Sequence, residues 1–452
     1  MIELKRFPFN EESYKKELEQ LFNRFPLYQN IGSAAYKPGI EGMRDLDEAS
    51  GNPHKRYLTI HIAGTNGKGS VSHMIASVLQ HSGLKTGLYT SPHLVDFRER
   101  IKINGQMIDK EYVYNFMLSY NQFCEEHKPS FFEISTAMAF RWFADSNVDI
   151  AVIETGLGGR LDSTNIINPI ISIITNIGLD HCEYLGSTLG EIAREKAGII
   201  KEGVPVVIGE ADASTANVFR IKAGECDSRI VFAEDFIFRD VKASDYNLDL
   251  YGSYQDNNIR SVLTALSLLY EIPSFSALFG NNVYCDAKKD SRCWCDENIR
   301  RGLSKTASTT GLRGRWEKLS DNPLVICDTG HNAHGLKFVF SQLEREVSLR
   351  EGTRLFIIIG FVSEKDITPI LGMMPRNAFY IYTNASVQRA LKAGLLAEKC
   401  SQAGFEGVVK GSVRESVDYF RSVSKETDTL FIGGSTFVVA EALNFFEKVL
   451  EN

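Results

Sequence analysis

Seven consecutive residues, Gly64-Thr65-Asn66-Gly67-Lys68-Gly69-Ser70, combine the groups that hold a polyphosphate. Glycine lets a backbone turn tightly and come close to a ligand. The first amides of a following helix have no partner within that helix, and its dipole favours an anion beside them. Lys68 adds a mobile positive charge for outer phosphates. The run departs from GxxxxGK[ST] in two places: residue 62 is Ile rather than Gly, and Gly69 separates Lys68 from Ser70. A glycine-rich turn with one solvated lysine is the plainer reading; a strand before it and a helix after it favour phosphate. Further along stand a hydroxyl (Ser91), a carboxylate (Glu154) and an Asp180-His181 pair, each at or just beyond the carboxyl end of an expected strand. A few such groups, with phosphate oxygens and water, complete an octahedral Mg²⁺ shell. Taken singly, Ser91 before Pro92 also reads as a turn residue, Glu154 as a loop cap and His181 as a structural histidine.

The elements that must carry these groups are legible as a rhythm. YLTIHIA (57–63) reads as a strand, and Val71, Ile75, Val78 and Leu79 mark a helix face that Gly83 stops. TGLYT starts the next strand, which makes a βαβ unit and implies a parallel sheet. VDIAVIE (148–154), IISIITNI (170–177) and VPVVIG (204–209) continue it. Ligands of such sheets sit beyond the carboxyl ends of the strands, where the residues above fall. Residues 1–56 read as helical and then loop-like, with Tyr14, Leu18, Leu21 and Phe25 at helical spacing. The rhythm breaks over 272–308 and resumes with PLVICD, RLFIIIG, AFYIYT and TLFIGG. The expected architecture is therefore α/β in two domains. Residues 1–308 form a P-loop-type ATPase domain with a mostly parallel sheet, and 309–452 a smaller Rossmann-like domain.

The bulk properties limit the classes of function. The chain has 452 residues and a formal net charge of −7, which lacks the basic footprint of a nucleic-acid binder. No apolar leader and no run of about 18 apolar residues is present, so neither export nor a membrane span is expected, and the cytoplasm is. Eight cysteines occur without an export signal, and most sit singly in apolar contexts and read as reduced core residues. Cys285, Cys293 and Cys295 supply three thiols with no histidine nearby in sequence, so a surface loop over 279–296 is expected rather than a zinc site.

HIAGTNGKGS (61–70), GLYTSPHLVDFRERIKING (87–105), FFEISTAMAF (131–140), ETGLGGRLDSTN (154–165), GLDHCEYLG (178–186) and EIAREKAGIIK (191–201) together resemble the folylpolyglutamate synthase/dihydrofolate synthase family of the Mur-ligase-like superfamily. YQDNN (254–258), GRWE (314–317), DTGHNAHG (328–335), SEKD (363–366) and GGSTFVVAEAL (433–443) continue the match in family order. The resemblance implies an ATP-dependent ligase that phosphorylates a carboxylate and then joins it to glutamate through an acyl phosphate. It implies Thr65 to Ser70 as the triphosphate loop, with Lys68, His181 and Lys196 in catalytic roles. Ser91, Glu154 and His181 become Mg²⁺ ligands, and Lys196 falls at a lysine that is carbamylated in many relatives and helps place a second Mg²⁺. Asn258, Arg315, Asp328 and His331 fall at nucleotide contacts. Ser130, Phe131, Phe132, Glu133, Leu161, Asp162 and Ser163 align with pteroate-binding elements, and Ser435 with a serine near the incoming glutamate. The segment GGRLDSTN looks like that of enzymes with both activities. A monomer acting on small molecules, with no nucleic-acid or membrane partner, is implied too.

Several of these positions have plainer readings. Lys196 could be a surface lysine paired with Glu191 or Glu195, Arg315 an ion-pair residue, Ser435 a helix N-cap, and one of Phe131 and Phe132 core. Tyr254, Glu364 and Thr329-Gly330 stand where His, Asp and Gly-Ala are common. The competing functions are a Mur-type ligase on another carboxylate, a phosphotransferase to a hydroxyl, and a non-catalytic folate binder. The first would require a nucleotide-sugar site, of which residues 1–56 show no sign.

Overall fold

The computed structural model describes residues 1–25, 39–280, 292 and 294–450. Cys285, Cys293 and most of the stretch 279–296 lie outside the described residues. The chain divides into two compact units. One comprises residues 1–93, 97–249 and 255–312; the other comprises 94–96, 250–254 and 313–452.

The first unit is built on eight strands: β1 (Leu58–Ala63), β2 (Thr86–Tyr89), β3 (Ile101–Ile103), β4 (Gln106–Met107), β5 (Ile150–Glu154), β6 (Ile171–Ile174), β7 (Val206–Ile208) and β8 (Ile230–Phe232). Their order is β4-β3-β2-β5-β1-β6-β7-β8. The six from β2 to β8 in that order are parallel; β3 and β4 add an antiparallel edge. All five residues of β5 and all four of β6 are buried. Both faces of the sheet are covered, so these runs carry apolar side chains at every position rather than at alternate ones. Between β5 and β6 the chain crosses from one side of β1 to the other. That reversal opens a crevice at the carboxyl end of β1, where the glycine-rich loop begins.

The Lys68–His81 helix that follows the loop is buried at every position from Ser70 to Leu79. The sequence marks one apolar face, but Ser72, His73 and Ser77 on the others are buried as well. The helix is therefore enclosed on all sides. The Glu11–Arg24 helix buries Tyr14 and Leu21, with Phe25 just beyond its end, and Leu18 packs at the margin of the same cluster.

The second unit contains β9 (Glu317–Asp321), β10 (Leu324–Cys327), β11 (Leu355–Ile359), β12 (Ala378–Tyr382), β13 (Gly407–Val409) and β14 (Thr429–Gly433). Their order is β13-β12-β11-β14-β10-β9, parallel except for β9. Successive side chains point to opposite faces. Ile357, Ile359 and Phe431 accordingly enter one core, while Phe356, Ile358 and Ile432 enter another. Cys124, Cys327 and Cys400 are buried free thiols. Among the described residues no single helix is long and apolar enough to cross a membrane.

Candidate active site

The glycine-rich loop leaves β1 at Ala63 and enters its helix at Lys68. Its shape requires glycine at two positions. Gly64 has φ +150°, and a Cβ there would lie 1.8 Å from the Thr175 hydroxyl; Gly67 has φ +83°, and a Cβ would lie 2.3 Å from Asn258 Oδ1. Residues after β6 tie the loop down. The Thr65 amide donates to the Asn176 carbonyl at 2.9 Å. The Asn66 amide donates to Asn176 Oδ1 at 2.9 Å, and the Thr175 hydroxyl donates to the Asn66 carbonyl at 2.5 Å. The Gly178 amide donates to the Thr65 hydroxyl at 2.9 Å. Gly67 is the helix N-cap and offers no side-chain acceptor. The first-turn amides of Lys68, Gly69 and Ser70 thus lack the usual capping oxygen, which is the arrangement that suits an anion.

Two ammonium groups converge on one carbonyl of this loop. Lys68 Nζ donates to the Gly64 carbonyl at 3.0 Å and to that of Thr65 at 3.3 Å. Lys196 Nζ donates to the same Gly64 carbonyl at 2.8 Å. Lys196 is only 3% exposed. The surface ion pair that sequence spacing allowed is therefore overturned. Glu191 caps its own helix in a capping box with Thr188, and Glu195 pairs with Arg160 at 2.8 Å. Burial, and then the charge of Lys68, bring the Lys196 amine down to about 7; Asp180 and Asp162 oppose the drop. An amine in this range is partly neutral at physiological pH and so nucleophilic.

Glu154 ends β5, is 3% exposed, and accepts a hydrogen bond from the Ser91 amide at 3.0 Å through Oε2. Ser91 follows β2, whose Tyr89 lies beside Ile153 of β5. The parallel register thus brings Ser91 and Glu154 together. His181 lies in the loop after β6, at the same end of the sheet, with φ +52° and its amide bonded to Asp180 Oδ1. Among the described residues no group of three or more His, Cys, Asp or Glu gathers as a metal cage. A cation here would take few protein donors, and oxygen donors of this kind suit Mg²⁺, which keeps water and phosphate ligands.

The Gln255–Tyr270 helix carries Asn258, singled out in the sequence, and adds Gln255, which was not. Gln255 Nε2 donates to the Ser70 hydroxyl at 3.2 Å, and Asn258 Nδ2 donates to Gln255 Oε1 at 2.7 Å. Asn258 is thereby set against Gly67. Of the pteroate-aligned residues, Ser130 and Glu133 form a capping box at the start of the Phe131–Asp145 helix. Phe131 is buried against Phe97 and lies under the Arg100 guanidinium. Phe132 is only partly buried and lies against Gly156, where a Cβ would come within 2.5 Å of its ring. Phe131 is therefore the core residue of the two. Asp162 Oδ2 accepts the Gly156 and Leu157 amides at 2.9 and 2.8 Å. Its Oδ1 accepts the Thr164 amide at 3.0 Å and the Thr164 hydroxyl at 2.5 Å. Four donors on two oxygens make Asp162 the residue that folds this loop, with Ser163 buried and Leu161 half-exposed beside it.

Within the second unit, Arg315, Asp328 and His331 meet around Thr329. Arg315 donates to the Thr329 hydroxyl and to the Gly314 carbonyl, and His331 Nδ1 lies 3.1 Å from the Thr329 carbonyl. Asp328 accepts from the Trp316 amide at 2.7 Å, the Gly330 amide at 2.7 Å and the Tyr254 hydroxyl at 2.6 Å. Burial raises the pKa of both Asp328 and Tyr254. Ser435 accepts the Phe437 amide at 3.1 Å, the N-cap contact of the Thr436–Leu450 helix.

A glycine-rich loop with an uncapped helix start at the switch point of a parallel sheet, a buried carboxylate at the neighbouring strand end and a second α/β unit are the features of an ATP-dependent ligase of the Mur type. Residues 62–249 match the Mur ligase middle domain. The chain is 35% identical to the dihydrofolate synthase/folylpolyglutamate synthase of Bacillus subtilis, over 73% of this chain and 76% of the relative. It is 33% identical to the folylpolyglutamate synthase of Lacticaseibacillus casei, over 82% of this chain and 85% of the relative. The structure of Mycobacterium tuberculosis folylpolyglutamate synthase complexed with ADP shares the fold, with a TM-score of 0.79 at 27% identity, covering 96% of this chain and 98% of that one. The chain belongs to the folylpolyglutamate synthase/dihydrofolate synthase family.

Proposed function

We propose that the chain joins L-glutamate to the carboxylate of dihydropteroate and of folates that already carry glutamate, consuming ATP and releasing ADP and phosphate. A carboxylate resists amine attack because oxide is a poor leaving group. Transfer of the γ-phosphoryl group to a carboxylate oxygen gives an acyl phosphate. The glutamate amine then attacks the carbonyl carbon, the bond to the phosphate oxygen breaks, and the amine nitrogen gives up a proton. Such chemistry asks the protein mainly for alignment and charge neutralisation.

The residues divide these tasks. Amides of 67–70 and the Lys68 ammonium hold the phosphates, with Asn258 bracing the loop. Arg315, Asp328 and His331 contact the nucleotide. Ser91, Glu154 and His181 hold Mg²⁺, which supplies positive charge to the phosphate oxygens. Lys196, as its neutral amine, would add to the carbon of CO₂ and release one proton to solvent, and the resulting carbamate anion would help hold a second Mg²⁺. Phe132 offers a flat face to the pterin ring, on a surface shaped by Ser130, Phe131, Glu133, Leu161, Asp162 and Ser163. Ser435 orients the incoming glutamate. The protein acts as a cytoplasmic monomer.

The observation that carries this reading is the convergence of Lys68 and Lys196 on the Gly64 carbonyl, beside a helix start that has no side-chain cap. ADP release with dihydropteroate, tetrahydrofolate and glutamate, singly and combined, tests it. Release should require glutamate together with either acceptor. Release without glutamate, with phosphate appearing on a hydroxyl, would indicate a phosphotransferase. Extension of tetrahydrofolate alone would remove the dihydropteroate activity.

A further inference from the structure

Glu210 follows β7 at the carboxyl edge of the sheet, half-buried, and belongs to none of the groups discussed so far. A Cβ at Gly209 would lie 2.3 Å from the Thr175 carbonyl and 2.5 Å from the Ser261 hydroxyl, so this strand end is pressed between β6 and the Gln255–Tyr270 helix. From there Glu210 reaches both. Its Oε1 accepts from Asn176 Nδ2 at 3.2 Å, and its Oε2 accepts from Asn257 Nδ2 at 2.8 Å. Asn176 Oδ1 in turn accepts the Asn66 amide of the phosphate loop at 2.9 Å. Asn257 Oδ1 accepts from Arg260 Nη1 at 3.3 Å.

The direction of every bond in this chain is fixed by its ends. A backbone N–H and a guanidinium can only donate, so each asparagine must turn its oxygen toward that donor and its NH₂ group toward residue 210. Only a carboxylate accepts on both oxygens. We propose that Glu210 is a positioning residue for the nucleotide: it orients Asn176 and Asn257 so that the phosphate loop is locked to the helix whose Asn258 braces Gly67. The inference rests on the reading of residues 64–70 as the ATP phosphate loop. Among the described residues no cation is bonded to Glu210, and Arg260 acts on it only through space; a half-buried carboxylate that accepts from two neutral amides marks an arrangement kept for geometry rather than for an ion pair.

The test is Glu210→Gln, which keeps the shape but opposes one NH₂ group to another. Titration calorimetry with Mg·ADP should show about a tenfold weaker Kd, the order expected for one misdirected buried hydrogen bond. The KM for glutamate should stay unchanged, and the Asn66 amide should exchange its hydrogen faster in the nucleotide-free protein. Removing one opposing amide should relieve the conflict. In an Asn257→Ala background the glutamine can turn its NH₂ toward the vacated side, so the double variant should bind Mg·ADP within about twofold of Asn257→Ala alone. That comparison also serves if Glu210→Gln alone fails to fold. Wild-type affinity in Glu210→Gln, or the same loss in both backgrounds, would overturn the proposal, as would a double variant that does not fold. Failure of the wild-type protein to bind Mg·ADP would instead remove the phosphate-loop reading beneath it.

Discussion

Replacing Lys196 with methionine should stabilise the protein at neutral pH while abolishing its activity. The amine is buried, and its pKa drops from 10.5 to about 7. The drop corresponds to about 5 kcal/mol of bias against the charged form. Between pH 7 and 10.5 the unfolded chain holds a proton that the folded chain has released, so unfolding takes up a proton and stability rises with pH across that window. Below pH 7 the penalty is fully present, and above pH 10.5 it is gone. From pH 7 to pH 9 the wild-type protein should gain about 2 kcal/mol from this group alone. Methionine has no such titration, and the Gly64 carbonyl keeps its hydrogen bond from Lys68. Urea denaturation in CO₂-free buffer at pH 7 should therefore find Lys196→Met more stable by up to about 4 kcal/mol, with the difference shrinking by about 2 kcal/mol at pH 9. A variant less stable than wild type at pH 7, or a difference that does not change with pH, would refute the reasoning. Stabilisation with loss of activity is the signature of a group retained for function.

Glu154→Gln keeps the acceptor for the Ser91 amide but loses the charge, so the fold should persist while kcat/KM falls by about 100-fold or more and the Mg²⁺ requirement rises; steady-state kinetics against Mg²⁺ concentration would show it. Gly67→Ala forces a side chain into a φ of +83° and against Asn258; Mg·ADP affinity, measured by calorimetry, should fall at least about tenfold. Tyr254→Phe removes one of three donors to buried Asp328. It should cost about 1–3 kcal/mol in thermal unfolding, because part of a buried carboxylate is left unsatisfied.

The sheet cores were legible because strands buried on both faces are written as continuous β-branched runs, as in IAVIE of β5 and LFIII of β11. The edges were not. β9 reads EKLSD with no fully buried residue, and β4 has two exposed residues; only their neighbours make them strands. The phosphate loop could be read because glycine, lysine and a helix start lie within seven residues. Its clamps could not, since Thr175 and Asn176 lie about 110 positions away and reach it only when β6 pairs with β1. The burial of Lys196 shows the same limit: helical spacing offered two carboxylates, but packing turned the amine inward to Gly64 and gave Glu195 to Arg160. Tyr254 and Asp328 are 74 residues apart. Nothing local in either segment announces their hydrogen bond.

Crystals grown with a non-hydrolysable ATP analogue and Mg²⁺ would show where the triphosphate sits. The β- and γ-phosphates should lie on the amides of residues 67–70, with Lys68 turned from the Gly64 carbonyl toward them and the metal between those phosphates and Glu154. A nucleotide bound elsewhere, with that turn still closed on its own lysine, would contradict the phosphate-loop reading.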